Sequence, residues 1–267
     1  MTILEQLANH ARERVATAKK KTPLEELRAQ CHALDRNLGR GQGRERFRKA
    51  LSKPGLSFLC ELKKASPSKG LIDPEFPYLD IAQDYEAFGA DAISCLTEPK
   101  WFLGSNDIFR RVRQTVSLPM LRKDFTVDPY QIYEARLMGA DCVLLICALL
   151  DTQTLQEYLE LCEELGLAAL VETHDEDEVR SALAAGATIL GVNNRNLKDF
   201  SVDFQNAKRL RDLIPPDVLY VAESGVSGPQ DVAELKKVGA DAVLIGEALM
   251  RAPNKRCMLE QLREAAQ

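Results

Sequence analysis

One short phrase recurs four times along this chain. It reads Gly89-Ala90-Asp91-Ala92-Ile93, Gly139-Ala140-Asp141-Cys142-Val143, Gly186-Ala187-Thr188-Ile189-Leu190 and Gly239-Ala240-Asp241-Ala242-Val243. The copies lie about fifty residues apart, too regular for chance and too long for one helical hairpin. Each follows an amphipathic stretch and opens an apolar run. Glycine ends a helix, the next residues turn, and a buried strand begins. Between the copies lie further apolar runs: Ser57-Phe58-Leu59-Cys60, Leu118-Pro119-Met120-Leu121, Leu167-Ala168-Ala169-Leu170-Val171 and Val218-Leu219-Tyr220-Val221. The pattern predicts eight strands separated by helices, which reads as a parallel sheet. Eight such units close into an α/β fold of the (βα)8 TIM-barrel type.

Residues 1–56 precede the first strand and read as an N-terminal helical extension packed on the barrel, which takes 57–267. Ile3, Leu4, Leu7, Ala11 and Val15 fall at helical spacing. Thr22-Pro23 reads as a second helix start, with Glu25 completing a capping-box pattern. From Arg36 to Lys53 the chain is polar and basic, with Gly39, Gly41 and Gly43. It reads as a solvated linker and helix, or as positive potential directed at an anionic substrate. The segment Lys64 to Pro77 is long for a barrel loop and follows the first strand. It is a candidate lid, with Gly70 permissive and Pro67 and Pro74 stiff.

Composition removes several classes. Net charge is −5, so nothing points to nucleic acid. The longest apolar run, Cys142 to Leu150, is too short to cross a bilayer, and the N-terminus lacks a signal peptide's apolar core. No membrane association is expected, and the setting reads as cytoplasmic. Seven cysteines lack a Cys-x-x-Cys pair, and three histidines stand far apart. Neither a disulfide scaffold nor a metal site is predicted. No Gly-x-Gly-x-x-Gly follows a strand, so a dinucleotide cofactor has no signal.

The strands between the copies run into charge at their C-terminal ends, the face on which barrels of this type place active sites. Glu61 and Lys63 are two apart and face one side, inward if Cys60 and Leu62 face the helices. They read as a charge-compensated pair able to relay protons, or as a structural ion pair. Lys123 ends the third strand and suits proton donation or anion binding, beside the plainer reading of a solvated lysine. Asp124 orients or caps locally, and Arg122, facing outward, is expected to reach solvent between helices. Glu172 ends the fifth strand as a candidate general base. His174 is assigned to the following loop and left out of the site. Asn193-Asn194-Arg195 ends the sixth strand, where Asn hydrogen-bonds hydroxyls but is also a common turn residue. Glu223-Ser224-Gly225 and Gly246-Glu247 end the last two strands. Their glycines let backbone N–H groups approach a phosphate, with the Glu247 side chain turned away.

Five ordered segments resemble the indole-3-glycerol phosphate synthase family. They are Glu61 to Gly70, Thr97 to Ser105, Leu121 to Phe125, Gly191 to Leu197 and Ala222 to Val226. The resemblance runs from about residue 3 to 255 and is to the monofunctional form, without the isomerase domain fused in some relatives. It implies pyrrole ring closure with loss of carbon dioxide and water in tryptophan biosynthesis, with neither cofactor nor metal. By resemblance, Lys123 is the general acid, Glu172 the base or a stabiliser of the cationic ring intermediate, and Lys63 the carboxylate-binding partner of Glu61. Asn193 orients sugar hydroxyls, and Glu223 and Ser224 complete the polar ring. Phe102, Phe125 and Leu144 match an apolar wall for the aryl group, although each also suits a plain core. Ser66, Arg195, Gly225, Gly246 and the Glu247 N–H surround the substrate and its phosphate. The implied partner is an anionic aryl-amino sugar phosphate, with a weak association with other tryptophan-pathway enzymes. A phosphoribosylanthranilate isomerase-like barrel and a non-catalytic scaffold barrel are the alternatives.

Overall fold

The computed structural model describes residues 1–38, 41–195 and 204–267. Eight parallel strands close on themselves: β1 (Ser57–Leu62), β4 (Ala92–Leu96), β5 (Met120–Lys123), β6 (Cys142–Ile146), β7 (Ala168–Thr173), β8 (Ile189–Asn193), β9 (Leu219–Glu223) and β10 (Ala242–Ile245). β1 pairs with both β4 and β10, which shuts the ring. Helices α4 (Tyr78–Ala87), α5 (Asn106–Thr115), α6 (Pro129–Leu137), α7 (Thr152–Glu164), α8 (Glu176–Ala184), α9 (Phe204–Arg211) and α10 (Pro229–Val238) alternate with the strands. The short α11 (Glu247–Arg251) and α12 (Lys255–Ala265) follow β10. The protein is a (βα)8 TIM barrel. Among the described residues no helix is long and apolar enough to cross a membrane.

The recurring phrase now has a physical cause. Gly89, Gly139, Gly186 and Gly239 all have positive φ, between 81° and 95°, and end their helices in the left-handed conformation. The alanine after each glycine donates its N–H back into the helix, as in Ala90 N to Tyr85 O at 2.9 Å and Ala140 N to Ala135 O at 3.0 Å. The aspartates then reach sideways. Asp91 Oδ2 accepts from Phe58 N (2.9 Å), Asp141 Oδ2 from Met120 N (2.9 Å) and Asp241 Oδ2 from Tyr220 N (2.7 Å). Each carboxylate satisfies an N–H at or beside the start of the neighbouring strand. Thr188 lacks the carboxylate and keeps only the carbonyl bond to the following strand, from Leu219 N, as Asp141 O and Asp241 O take theirs from Ala168 N and Ser57 N.

Alternation along the strands sorts the core. Cys60, Leu62, Cys95, Val143, Leu145, Val171 and Val192 pack outward against the helices. Leu59, Leu121, Leu144, Leu170, Val221 and Leu244 fill the barrel. One further two-residue step takes Leu59 to Glu61, Leu121 to Lys123, Leu170 to Glu172 and Val221 to Glu223. The barrel interior therefore turns from hydrocarbon to ionisable groups within one layer of side chains.

Three helices precede the barrel: α1 (Ile3–Lys21), α2 (Leu24–Leu38) and α3 (Gly43–Leu51). The capping box forms at Thr2 and Glu5, not at Thr22 and Glu25: Thr22 closes α1, and Glu25 pairs with Arg28. α1 lies at the mouth, where Arg14 makes a two-pronged bond to Asp124 (2.6 and 3.0 Å) and Lys19 meets Asp128 at 2.7 Å. α2 packs on α6, with Arg136 bonded to Asp35 at 2.6 Å. α3 seals the other end. Phe47 and Leu51, both fully buried, pack on Leu59, Leu121, Cys142, Ala168 and Ile189.

Two expectations are corrected. Arg46 binds Asp141 Oδ1 (2.9 Å) and Arg48 the carbonyls of Thr188 and Asp217 (3.2 and 3.0 Å), all at the floor. Lys53 binds Asp91 at 2.7 Å. Arg46, Arg48 and Lys53 therefore clamp the end opposite the mouth; Gly39 and Arg40 lie outside the described residues. Arg122 does not reach solvent. It is 3% exposed and bonds the Gln131 carbonyl (2.8 Å), Asn106 Oδ1 (3.2 Å) and Glu134. Burying a guanidinium between helices requires these acceptors.

Phe47→Ala is expected to cost about 3–5 kcal/mol of stability in denaturant unfolding. The substrate KM of the folded fraction should stay unchanged, because the cavity opens at the floor.

Candidate active site

The strand ends converge on a cavity of about 560 Å³ at the mouth. Its polar half begins with β1, where Lys63 Nζ lies 2.6 Å from Glu61 Oε1 and Ser94 Oγ donates to Glu61 Oε2 at 3.3 Å. Across the ring, Lys123 Nζ sits between two carboxylates, 3.2 Å from Glu172 Oε2 and 3.3 Å from Glu223 Oε2. Asn193 Nδ2 donates to the other oxygen of Glu172 at 3.1 Å.

Burial alone would lower the Lys123 ammonium, but the carboxylates of Glu223, Glu172 and Glu61 outweigh it and hold it well above the usual lysine range. The two carboxylates divide. Burial favours the neutral form of Glu172, yet Lys123, His174 and the Asn193 amide together hold it below its ordinary value. Glu223 is pushed up to about 7 by burial, against the pull of Lys123 and with Glu172 and Glu61 adding like charge. The difference has a geometric source. Glu172 has partners on both oxygens, whereas Glu223 Oε1 is buried with no hydrogen-bond partner. The Lys123 cluster thus holds one ionised carboxylate, one ammonium and one carboxyl that exchanges its proton near neutrality.

Two glycines make room for these groups. A Cβ at Gly191 would stand 1.9 Å from Glu223 Oε1. One at Gly246 would meet Glu61 Oε1 at 2.5 Å and Lys63 Nζ at 2.9 Å. Gly246 therefore clears space for the Glu61–Lys63 pair as well as lining the mouth.

The apolar half contains Phe102, Phe125 and Leu144, with the two phenyl rings tilted at 6.1 Å. Ile3, Leu4 and Leu7 of α1 complete it. The amphipathic stripe of α1 was visible in sequence, but its address was not. Glu98 places Phe102: its buried carboxylate accepts from the N–H groups of Lys100 (3.0 Å), Trp101 (2.7 Å) and Phe102 (3.1 Å). His10 of α1 adds a contact at 3.0 Å.

Ser66, Arg195, Ser224, Gly225, Gly246 and Glu247 line the same cavity. After β9 the backbone turns through positive φ at Ser224 (66°) and Gly225 (91°). The Glu247 carboxylate is drawn toward Arg251 (3.2 Å) and Lys69 (3.5 Å). The candidate lid holds a small hairpin, β2 (Ala65–Ser66) against β3 (Gly70–Leu71), and Ser66 to Lys69 face the cavity. Asn196 and Leu197 lie outside the described residues. Every residue singled out in the sequence for the site thus lines one cavity. Sequence reading missed Lys69, the α1 side chains, Gly191 and His174, whose Nε2 lies 3.5 Å from Glu172 Oε1. A His-x-x-x-Glu spacing to Glu178 was the available signal for the last.

Comparison with known proteins follows this geometry. A family model described as indole-3-glycerol phosphate synthase matches residues 4–262. The indole-3-glycerol phosphate synthase of Ruminiclostridium cellulolyticum is 54% identical over 99% of this chain and 100% of the relative. That of Lachnoclostridium phytofermentans is 46% identical, with 98% of each chain covered. Among solved structures, thiamine phosphate pyrophosphorylase from Pyrococcus furiosus aligns with a TM-score of 0.62 at 18% identity, covering 82% of this chain and 97% of its own. 3-Hexulose-6-phosphate synthase from Salmonella typhimurium aligns at 0.62 and 16%, covering 79% and 98%. These two show the barrel fold alone.

Glu223 makes stability depend on pH. Its carboxyl is raised in the folded state, so the folded chain holds the proton more tightly than the unfolded one. Its contribution is fully present below about pH 4.5 and is lost as pH rises through about 7. Glu223→Gln imitates the neutral acid. It is expected to raise Tm by about 2–4 °C at pH 8 and to leave it unchanged at pH 5, by calorimetry.

Proposed function

The chain belongs to the indole-3-glycerol phosphate synthase family, and from that premise we propose how its rim residues divide the reaction. The enzyme is a carboxy-lyase of tryptophan biosynthesis. It converts 1-(2-carboxyphenylamino)-1-deoxy-D-ribulose 5-phosphate into indole-3-glycerol phosphate, closing the pyrrole ring with loss of carbon dioxide and water. The isomerase and scaffold alternatives are not favoured by these relatives.

One observation carries the division of roles: a buried ammonium held between two carboxylates, facing an aromatic wall. The aryl ring packs on Phe102, Phe125 and Leu144, and its carboxylate meets Lys63. The ring carbon bearing that carboxylate attacks the ketone carbon, and the ketone oxygen takes a proton from Lys123. A tertiary alkoxide is more basic than even a raised lysine, so the transfer runs downhill as charge develops. The carbon–carboxylate bond then breaks, releasing carbon dioxide and leaving its electron pair in the ring. The new hydroxyl departs as water with a second proton, donated by Lys63, and Glu172 takes a proton from the carbon beside the nitrogen. Two protons enter and one leaves, matching the loss of one carboxylate charge. Glu61 holds the Lys63 ammonium in place at 2.6 Å, and Glu223 exchanges a proton with the rim.

Asn193 orients the sugar hydroxyls. Ser66, Arg195, Ser224, Gly225, Gly246 and the Glu247 N–H hold the chain end and its phosphate, with positive φ at Ser224 and Gly225 turning backbone toward the mouth. A cytoplasmic setting and a weak association with neighbouring tryptophan-pathway enzymes belong to the same reading.

Lys123→Met is expected to lower kcat at least about a thousandfold while product-analogue binding stays within about tenfold. Glu172→Gln is expected to lower kcat at least about a hundredfold. Product fluorescence with a chelator present reads both. Wild-type-like turnover in either variant removes that residue from its assigned step.

A further inference from the structure

His174 stands just beyond the end of β7 and just before α8. Its backbone N–H and its ring Nδ1 both meet one oxygen, Glu178 Oε2, at 2.7 and 3.1 Å. Glu178 is itself fixed, because its N–H donates to Asp175 Oδ1 at 3.0 Å. Asn206 of α9 donates to the His174 carbonyl at 3.0 Å. With Nδ1 given to a carboxylate, the ring has one free edge. That edge is Nε2, buried and without a hydrogen-bond partner, and it faces Glu172 Oε1 at 3.5 Å.

We propose that His174 is a positioning residue for the reaction: anchored by Glu178, it aims and charges the Glu172 carboxylate from the side opposite Lys123. This rests on the reading of Glu172 as base. The carboxylate lies in a frame of three donors. Lys123 takes Oε2, while Asn193 and His174 share Oε1. The Asn193 amide cannot change charge, but the imidazole does. A protonated ring opposite Lys123 keeps the base ionised before the reaction.

The groups facing the ring all favour its charged form. They are Glu172 on β7, Glu178 on α8 and Glu223 on β9, while Lys123 on β5 faces the far oxygen of Glu172. Burial works the other way, and the carboxylates outweigh it, so the imidazole is raised above its ordinary value. Charged His174 favours the Glu172 carboxylate, so removing it lets Glu172 protonate at higher pH and moves the acid limb of the kcat profile upward.

The test has two arms. Histidine-labelled enzyme is titrated by NMR; only His10, His32 and His174 contribute, and His174→Gln assigns the signal by its loss. The His174 midpoint is expected to fall by at least about half a pH unit in Glu172→Gln and in Glu178→Gln. An unmoved midpoint in Glu172→Gln overturns the coupling, whatever Glu172 does in catalysis. Wild-type turnover in Glu172→Gln overturns the base reading alone. In the kinetic arm, His174→Ala is expected to lower kcat at least about tenfold with KM within about twofold. Its acid limb moves to higher pH. His174→Gln restores part of the rate but not the limb. A uniform loss with an unmoved limb marks a merely structural side chain and overturns the proposal. Should the alanine variant fail to fold, Glu178→Gln carries the same limb shift, and its absence is equally decisive.

Discussion

Three aspartates at the floor, Asp91, Asp141 and Asp241, each take a backbone N–H from the strand beside their own. The bond is local, but its effect is transmitted along the strands. It fixes where each strand starts relative to its neighbour. A slip by one residue would turn every inward side chain outward. With the starts fixed, the alternation from hydrocarbon to charge happens at the same height around the ring. Glu61, Lys123, Glu172, Asn193 and Glu223 then meet at one mouth. The chemistry at one end thus depends on carboxylates at the other.

Within the mouth, electrostatics are arranged by unequal satisfaction. Lys123 sees two carboxylates at nearly equal distance. They behave differently because one is bonded on both oxygens and the other leaves an oxygen bare. Placing an ionised and a proton-exchanging carboxyl beside one ammonium takes no unusual residue. It takes a missing side chain, since Gly191 lets Glu223 occupy the space a methyl group would fill.

Much of this was legible in the residues themselves. The fourfold repeat and the charged strand ends identified the barrel and its working rim, because strand period and register are short-range properties. What remained hidden was long-range. Arg122 was expected to reach water, yet finds Gln131, Asn106 and Glu134 on the two flanking helices. The arginines of α3 face the floor, since nothing in their own sequence says which end of a barrel a preceding helix covers. Glu98 shapes the pocket without touching it by curling three backbone N–H groups around its carboxylate. His174 read as a loop residue because the partner that fixes its ring, Glu178, lies four positions on in the next helix.

The sealed floor sets the traffic of the enzyme. Phe47 and Leu51 cork the barrel beneath layers of buried leucine, alanine and valine. The barrel is a cul-de-sac. Carbon dioxide and water, formed at the rim, leave by the doorway through which the sugar phosphate came. The hairpin carrying Ser66 stands at that doorway beside the residues assigned to the phosphate. The proposed phosphate site anchors the indole product by its tail, and the small products have no such hold. On that assignment departure is sequential, with the gas and the water first and the anchored product last.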